Sequence, residues 1–529
     1  MRGLLGLVLW GAAAWCAAGP AVPLRILSTN DIHAYLQPGH ARTIDELRPW
    51  GAQSREGDFA AKARLTGKAG GMAHVATVIQ RLRSEKPGNT LLVDAGDTWH
   101  GSGISLFDRG ETMVKIMNAI GYDVMTPGNW EFIFPRDRFL KLVEMAQFPV
   151  VAFNLTDREW DEPVLEPYHV QQVGPLKVAV IGMTYPWTAI TSASLGAAKW
   201  YQFGIREEAA SALIREIRQD HDPDLIVMVS HGGFGLDQKF ARRVDGIDVL
   251  VSGHTHDEVF EPVVWNDTII FQAGAHGKYV ASLDLTVTDK RVTDFHYRLV
   301  KVDQRHVPPD PQVAELVSAA YAPYRKQLAT VIGEAGTTLY RRAYWQSPLG
   351  NFLTDAMRAM TGTDIAFFPA WRYGATILPG KIRVEDIYNI LPSRETIHTF
   401  MMPGRQLRRL LENILGSVAD HDPYTRVGGD MIRFSGLTLR YDLRRQAGDR
   451  IVSLTVGDKP LEPDRNYRIA SVHTRFQDNP LFGATQVKDT GTVFVEALVE
   501  YIRRHSPIAP TLDDRIGPAD PPAPASPAS

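Results

Sequence analysis

Seven polar side chains, at five places in the sequence, have the types and spacing of metal ligands. Two pairs have i, i+2 spacing: the aspartate and histidine of DIH, and the two histidines of HTH. In extended backbone such residues point to the same side, so each pair can bind ions together. The seven candidate ligands are Asp31, His33, Asp97, Asn129, His231, His254 and His256.

The candidate ligands are carboxylate, amide and imidazole groups, and the absence of thiolate disfavours a soft metal. They suit two manganese ions, and zinc or iron is also compatible with them. Asp97 is the predicted catalytic residue, since its carboxylate can bridge two ions and position a hydroxide. We expect Asp31, His33 and one HTH histidine at one ion, and Asn129, His231 and the other histidine at the second. Two ions about 3.5–4 Å apart can activate a bridging hydroxide and hold the oxygens of a tetrahedral centre.

Each candidate follows a short apolar segment with the composition of a buried strand. Strands are predicted over 24–29, 90–93, 149–153, 177–181, 225–229 and 249–251, with helices such as 73–84, 111–120 and 207–219 between them. This alternation predicts an α/β domain. The loops after the carboxyl ends of strands in such a sheet converge on one crevice. We therefore expect the five ligand segments to meet there.

The composition excludes several classes of protein. The chain has 529 residues, with 57 Lys+Arg against 60 Asp+Glu, and this balance argues against a nucleic-acid binder. Residues 1–18 place Arg2 before an apolar run and small residues, which predicts a cleaved signal peptide, export and no membrane span in the mature protein. The single cysteine, Cys16, lies in this segment, and a lipid anchor at Cys16 is the alternative interpretation.

Changes in composition divide the rest of the chain. We predict a catalytic domain over 24–303, a linker with a helix from about residue 313 to 329 over 304–330, and an α+β second domain over 331–517. Residues 518–529 form a Pro/Ala tail with no means of burying a core. A long polar insertion at 37–69, whose function the sequence does not indicate, interrupts the first domain.

The ordered motifs TNDIH, GDTWHGSG, GNWE, SHGG and GHTH resemble those of the calcineurin-like dinuclear metallophosphatases, in the secreted 5′-nucleotidase branch. QSPLGNFLTDAM, at 346–357, resembles the opening motif of that branch's second domain. The resemblance implies a four-layer α/β/β/α metallophosphatase domain followed by a C-terminal 5′-nucleotidase-type substrate domain.

One motif departs from the nucleotidase pattern. Where that branch carries GNHEFD, this chain has Trp130 and Ile133 in place of the histidine and aspartate that assist the leaving group. An alkoxide leaves poorly without such help. A sulfur leaving group needs less help, because a thiol has a pKa of about 8.5. The departure therefore permits a thiosulfonate, R–S–S–SO₃⁻, as the substrate.

Further segments resemble the SoxB family of bacterial thiosulfohydrolases, among them GNWEF and FPAWRYGATILPG, at 368–380. That resemblance implies a periplasmic dimanganese enzyme that releases sulfate from a cysteine S-thiosulfonate on the carrier SoxY, usually paired with SoxZ. In addition to this resemblance, we interpret Trp130, Arg372 and Tyr373 as substrate-binding residues. Trp130 would exclude a nucleotide, and Arg372 would bind the anionic end of the substrate or guide the arm of the carrier protein. No role can be assigned to His100.

Two other functions stay open at this point. A periplasmic 5′-nucleotidase or nucleotide-sugar phosphohydrolase would release phosphate from AMP and stack a base on aromatic side chains of the second domain. A binding protein would hold the metals, or an oxyanion, without turnover.

Overall fold

The computed structural model describes residues 19–40, 63–65, 67–191, 199–371, 373–428, 430–472 and 483–519. The predicted signal peptide, most of the insertion at 37–69 and residues 520–529 lie outside this part of the chain. None of the helices in the described residues is long and apolar enough to cross a membrane.

Thirteen strands and seven helices make up the described first half of the chain. The strands are β1 (Val22–Thr29), β2 (Thr90–Asp94), β3 (Val124–Met125), β4 (Thr156–Asp157), β5 (Tyr168–Val173), β6 (Leu176–Met183), β7 (Tyr201–Gln202), β8 (Leu225–Ser230), β9 (Val249–Ser252), β10 (Val263–Trp265), β11 (Thr268–Gln272), β12 (Tyr279–Thr288) and β13 (Arg291–Lys301). The helices are α1 (Met72–Glu85), α2 (Gly103–Asp108), α3 (Glu111–Ile120), α4 (Arg136–Met145), α5 (Thr188–Thr191), α6 (Glu207–His221) and α7 (Phe234–Ala241).

Two sheets pack face to face in this half. One has the order β13-β12-β1-β2-β3 and the other β10-β11-β9-β8-β6-β5. Their inner faces share one core, to which Ile26 of β1 and Val180 of β6 belong. Alternate residues of the same strands face outward, so that Ile181 packs with Ile214 of α6. Helices cover both outer faces, which confirms the predicted four-layer α/β/β/α arrangement.

The second half of the chain is an α+β domain. Its strands are β14 (Val331–Ala335), β15 (Ile365–Phe368), β16 (Gly380–Arg383), β17 (Thr396–Pro403), β18 (Arg433–Ser435), β19 (Leu437–Tyr441), β20 (Ile451–Val456), β21 (Lys459–Pro460), β22 (Asn466–Ser471), β23 (Thr485–Val493) and β24 (Ile516–Pro518). Its helices, with the linker, are α8 (Pro311–Tyr321), α9 (Arg325–Leu328), α10 (Pro348–Thr361), α11 (Val384–Ile390), α12 (Gly404–Ala419) and α13 (Phe494–His505). The larger sheet has the order β18-β15-β22-β17-β23.

The structure corrects two sequence-based assignments. Residues 149–153 do not form the predicted strand: only Val150 pairs, in a single bridge to Met125, because its neighbour β3 is two residues long. The helix predicted from about residue 313 to 329 is two helices, α8 and α9. The first, α8, begins at Pro311, is capped by Asp310, whose side chain accepts from the Val313 N–H, and ends at Tyr321.

The two halves of the chain meet close to the carboxyl ends of the parallel strands. Lys239 of α7 pairs with Asp422 at 2.7 Å, and the Tyr424 hydroxyl donates to Glu207 of α6 at 2.6 Å. On the linker side, the Tyr321 hydroxyl donates to Glu385 of α11 at 2.7 Å. These contacts tie the second domain to the edge of the first domain at which the predicted ligands lie.

Candidate metal centre

All seven predicted metal ligands lie at one edge of the sandwich, just beyond the carboxyl ends of parallel strands. β1, β2 and β3 run parallel in one sheet, and β8 and β9 in the other. Because the two sheets bring these ends to the same edge, ligands from distant sequence positions come together there.

The ligands form two groups. The donor atoms of Asp31, His33 and His256 lie within 4.8 Å of one another, and so do those of Asp97, His231 and His254. Asn129 accompanies the second group, since its Oδ1 lies 3.1 Å from Nδ1 of His254. The structure therefore assigns His256 to the first group and His254 to the second, a choice that the HTH motif left open.

Asp97 lies between the two groups. Its Oδ2 is 3.2 Å from Nε2 of His231 in its own group and 3.9 Å from Nε2 of His33 in the other. Its Oδ1 accepts the Trp130 N–H at 2.6 Å, which fixes the carboxylate in this orientation. One oxygen facing both groups is the geometry that a bridging ligand needs.

The donor set fits two cations. Oδ1 of Asp31 and Nε2 of His231 are buried and have no hydrogen-bond partner among the described residues. Nδ1 of His231 lies 2.5 Å from the Ala95 carbonyl and donates to it, which leaves Nε2 as a lone-pair donor. Nε2 of His33 and Nε2 of His256 are 3.2 Å apart, a separation suited to two ligands of one ion.

The electrostatics of the cluster also favour a cation. Burial raises the pKa of Asp31, although His231 and His33 oppose that shift. Burial alone would lower the pKa of His231, but Asp97 and Asp31 outweigh it and raise this pKa to about 10. The two buried carboxylates therefore attract positive charge to this place, and metal ions would supply it.

A further carboxylate, that of Glu131 in the GNWE motif, organises the centre. The sequence alone did not indicate a function for this residue. It is fully buried and accepts four backbone N–H groups, from Asp97, Thr98, Trp99 and Gly128, at 2.7–2.9 Å. Glu131 thereby joins the loop after β2 to the loop after β3. Burial raises its pKa to about 7, which the amide hydrogen bonds oppose.

The ligand loops require unusual backbone conformations. Five of the ligands have positive φ: Asp31, His33, Asp97, His254 and His256. Such conformations cost of order 1–3 kcal/mol each for residues other than glycine and persist where the surroundings demand them. Gly128 shows how closely the loops approach, because a Cβ there would lie 2.3 Å from Oδ1 of Asp97.

An aromatic cluster borders the first ligand group. Trp130 is buried, and its ring lies 5.1 Å from that of His33 and 4.5 Å from that of Tyr373. Trp371 contacts Trp130 edge-on at 5.5 Å, and Ile133 packs against the same cluster. The structure thus places Trp130 and Tyr373, of the predicted substrate-binding residues, beside the metal ligands. Arg372 lies outside the described residues.

Arg341 is a second residue that the sequence did not reveal. It is 2% exposed and lies over the rings of Phe368 and Trp371, at 5.3 and 5.4 Å. One nitrogen donates to the Ile390 carbonyl at 2.8 Å, while Nε and Nη1 have no hydrogen-bond partner among the described residues. Burial lowers the pKa of its guanidinium to about 10. No sequence pattern marks a buried cation of this kind.

A cavity of about 230 Å³ opens beside His254. Gly232 and Gly233 line it on the first domain, and Arg342, Tyr344 and Gly428 on the second. Arg342 also donates to the backbone carbonyls of Thr255 and His256, at 3.2 and 3.1 Å. The second domain thus holds the HTH loop in position and forms one wall of the cavity.

Comparisons with known proteins agree with this architecture. The calcineurin-like phosphoesterase model matches residues 24–258, and the model of the C-terminal domain of 5′-nucleotidase matches residues 327–485. A snake venom 5′-nucleotidase of Gloydius brevicauda is 27% identical, over 97% of this chain and 91% of its own length. The chain covers much less of some other relatives, only 41% of endonuclease YhcR of Bacillus subtilis at 26% identity.

Two solved structures share the whole arrangement. The sulfate thiohydrolase SoxB of Thermus thermophilus, in complex with glycerol, superposes with a TM-score of 0.85 at 27% identity, covering 94% of this chain and 96% of its own. A 5′-nucleotidase precursor, also from Thermus thermophilus, superposes with a TM-score of 0.80 at 26% identity, covering 94% and 100%. With one matched domain of each kind, the chain belongs to the 5′-nucleotidase/calcineurin-like metallophosphatase superfamily, whose members are metal-dependent hydrolases, and its two groups of candidate ligands fit a dinuclear site.

Replacing the proposed bridging carboxylate, Asp97→Ala, is expected to abolish binding of both ions at stoichiometric metal. Loss of an outer-shell partner already weakens metal binding by about 10–100-fold, and a shared ligand should count for more. The measurement is metal content after gel filtration, with a calorimetric titration of Mn²⁺. The control is Asp294→Ala, which removes an exposed carboxylate of β13. Two ions retained at the parent affinity would refute the bridging role.

The variant Glu131→Gln is expected to lower the free energy of unfolding by about 2–4 kcal/mol and to weaken metal binding. Its amide NH₂ would face backbone N–H groups, leaving buried donors unsatisfied. Denaturant unfolding of the metal-free protein checks the first effect and metal titration the second. Glu159→Gln, at an exposed position of the same domain, should match the parent in both. Parent-like values for Glu131→Gln would mean that Glu131 does not hold the two loops.

Proposed function

We propose that this chain is a periplasmic dimanganese thiosulfohydrolase, which releases sulfate from a cysteine S-thiosulfonate carried by a SoxY-type protein paired with SoxZ. The observation that carries the proposal is the aromatic cluster of Trp130, Trp371 and Tyr373 against the metal ligand His33. It fills the place where the nucleotidase motif has its histidine, and Ile133 takes the place of the aspartate. The 27% identity to the Thermus thermophilus SoxB supports this assignment.

The missing acid restricts the leaving group. Trp130 and Ile133 cannot donate a proton to a departing alkoxide, which a phosphate monoester would release. A persulfide can depart as an anion, because sulfur carries negative charge more readily than an alcohol oxygen. An S-thiosulfonate therefore suits the residues that line this side of the site better than a nucleotide does.

The reaction balances as a hydrolysis. The oxygen of water bonds to the terminal sulfonate sulfur, and the bond between that sulfur and the neighbouring sulfane sulfur breaks. Its electron pair leaves with the carrier persulfide anion, while sulfate and the two protons of the water are released. Bound at the seven ligands, the metal pair would activate the water and withdraw charge from the sulfonate oxygens. Asp97 orients that pair, and Glu131 holds the loop of Asp97 in place.

Other residues of the site suit an anionic substrate on a slender arm. Arg341 supplies a buried positive charge next to Trp371, where a sulfonate would offset the cost of burying an unpaired guanidinium. The cavity beside His254 has a volume of about 230 Å³, and three of its lining residues, Gly232, Gly233 and Gly428, have no side chain to occupy it. Such a space admits an extended peptide carrying one modified cysteine, but not a folded domain. We retain Arg372 as a proposed contact of the anion or the arm.

The second candidate function is a periplasmic 5′-nucleotidase. It is favoured by the 27% identity to the snake venom 5′-nucleotidase and by the shared two-domain architecture. Its substrate would place a base near aromatic side chains of the second domain. Trp371, the nearest candidate, instead packs against Trp130 and Phe368.

A turnover assay separates the two candidates. Purified protein with Mn²⁺ is given a carrier bearing a cysteine S-thiosulfonate, and sulfate release is compared with phosphate release from AMP. We expect sulfate at a rate at least tenfold above that of phosphate, and neither product from Asp97→Ala. The unmodified carrier serves as the blank. Ready hydrolysis of AMP with no release of sulfate would overturn the proposal.

Restoring the nucleotidase pair tests the role of the aromatic cluster. The double variant Trp130→His with Ile133→Asp is expected to raise the rate of AMP hydrolysis about tenfold or more, because general acid catalysis is worth about 10²–10⁴-fold when well placed. Trp160→His, at a 69% exposed tryptophan of the same domain, is the matched control. An unchanged AMP rate in a folded double variant would count against our account of leaving-group choice.

A further inference from the structure

A histidine outside the predicted ligand set, His276, lies in the loop after β11 and contacts the first ligand group. Its ring lies 5.9 Å from that of His33 and 5.7 Å from that of His256. Its backbone N–H donates to the carbonyl of Asp31 at 2.8 Å. His276 is therefore joined to all three residues of this group.

The imidazole of His276 is incompletely paired. The residue is 9% exposed, and its Nε2 is buried with no hydrogen-bond partner among the described residues. Such a nitrogen costs about 1–3 kcal/mol when left unsatisfied. The backbone adds a further cost, since φ is +58°. An apolar residue here would avoid the unsatisfied nitrogen, so a packing role alone does not account for a histidine.

The polar groups closest in sequence or packing to this ring are already engaged with other partners. Tyr35 packs against it at 4.6 Å, and the Tyr35 hydroxyl is engaged with the Asn389 carbonyl at 2.6 Å. The neighbouring buried cation, Lys278, pairs with Glu258 at 2.7 Å. Neither the tyrosine hydroxyl nor the ion pair supplies a partner for Nε2.

His276 is too distant for direct ligation. Its nitrogens are not among the donor atoms of the described residues that lie within 4.8 Å of one another at the first group. An ion held by Asp31, His33, His256 and Asp97 still has room for oxygen ligands, since manganese favours six-coordination. An oxygen ligand lying between such an ion and the ring of His276 would offer Nε2 an acceptor.

We propose that His276 is a substrate-positioning residue, whose Nε2–H donates to the oxyanion oxygen held at the Asp31–His33–His256 position. In the absence of substrate the same N–H would donate to a water molecule there. The inference rests on the dinuclear metal centre of the proposed function, but not on a thiosulfonate being the substrate. It accounts for the buried nitrogen, for the strained backbone and for the packing of Tyr35.

The test compares His276→Leu, which removes the donor, with His276→Gln, whose amide reaches nearly as far as Nε2. Both variants keep an unbranched Cβ, so they meet a similar backbone cost at positive φ. Calorimetry on the Mn²⁺-loaded protein measures affinity for inorganic phosphate, used as an oxyanion probe, and a separate titration of the metal-free protein measures the two ions.

We expect His276→Leu to bind phosphate about tenfold more weakly and to weaken one of the two ions about tenfold, with the other unchanged. His276→Gln should recover most of both losses. The control is His100→Leu, since His100 is also buried and has an unpartnered Nδ1, but the aromatic rings of the described residues that neighbour its own ring are those of Trp130 and Phe134, not His33 or His256. That control should bind phosphate within twofold of the parent.

Parent-like phosphate and metal affinities in His276→Leu would overturn the inference, and so would an equal loss in His100→Leu or no recovery in His276→Gln. If the parent itself binds fewer than two ions, the proposed metal centre fails instead. Sulfate release is not measured in this experiment, so failure of the thiosulfonate proposal is seen separately, in the turnover assay.

Discussion

The candidate metal centre depends on one buried carboxylate, that of Glu131. Glu131 accepts the N–H groups of two loops that follow neighbouring parallel strands, and so fixes the distance between Asp97 and Asn129. A carboxylate can do this because it offers two oxygens with several lone pairs, whereas an amide must also donate. With these loops joined, Asp97 can face both ligand groups at once.

The second requirement is a source of positive charge. Asp31 and Asp97 are both buried, and burial of two carboxylates so close together is costly unless cations or donors compensate. The histidines around them offer lone pairs from Nε2, with Nδ1 of His231 donating to Ala95. The cluster is therefore suited to two ions. The loops packed around it maintain the strained backbone conformations of the candidate ligands.

The second domain contributes side chains to the site. Trp371 and Tyr373 pack on Trp130, Arg342 holds the HTH loop, and Tyr35 is fixed by Asn389. Aromatic side chains next to His33 replace a proton donor with an apolar wall. Under the proposed function, this change favours a substrate whose leaving group needs no proton.

The alternation of short apolar strands and helices predicted an α/β first domain, whereas the four layers followed from the resemblance of the ordered motifs to a known family. The same motifs supplied the seven candidate ligands, which the structure brings to one edge of the sandwich. Ligand residues at strand ends are local in sequence, so DIH and HTH reveal them directly. The role of Glu131, the pairing of His256 rather than His254 with Asp31, and the positions of Arg341 and His276 could not be predicted. Each depends on contacts between residues far apart in the chain, or on burial without a partner, and only the packing of both sheets and both domains creates them.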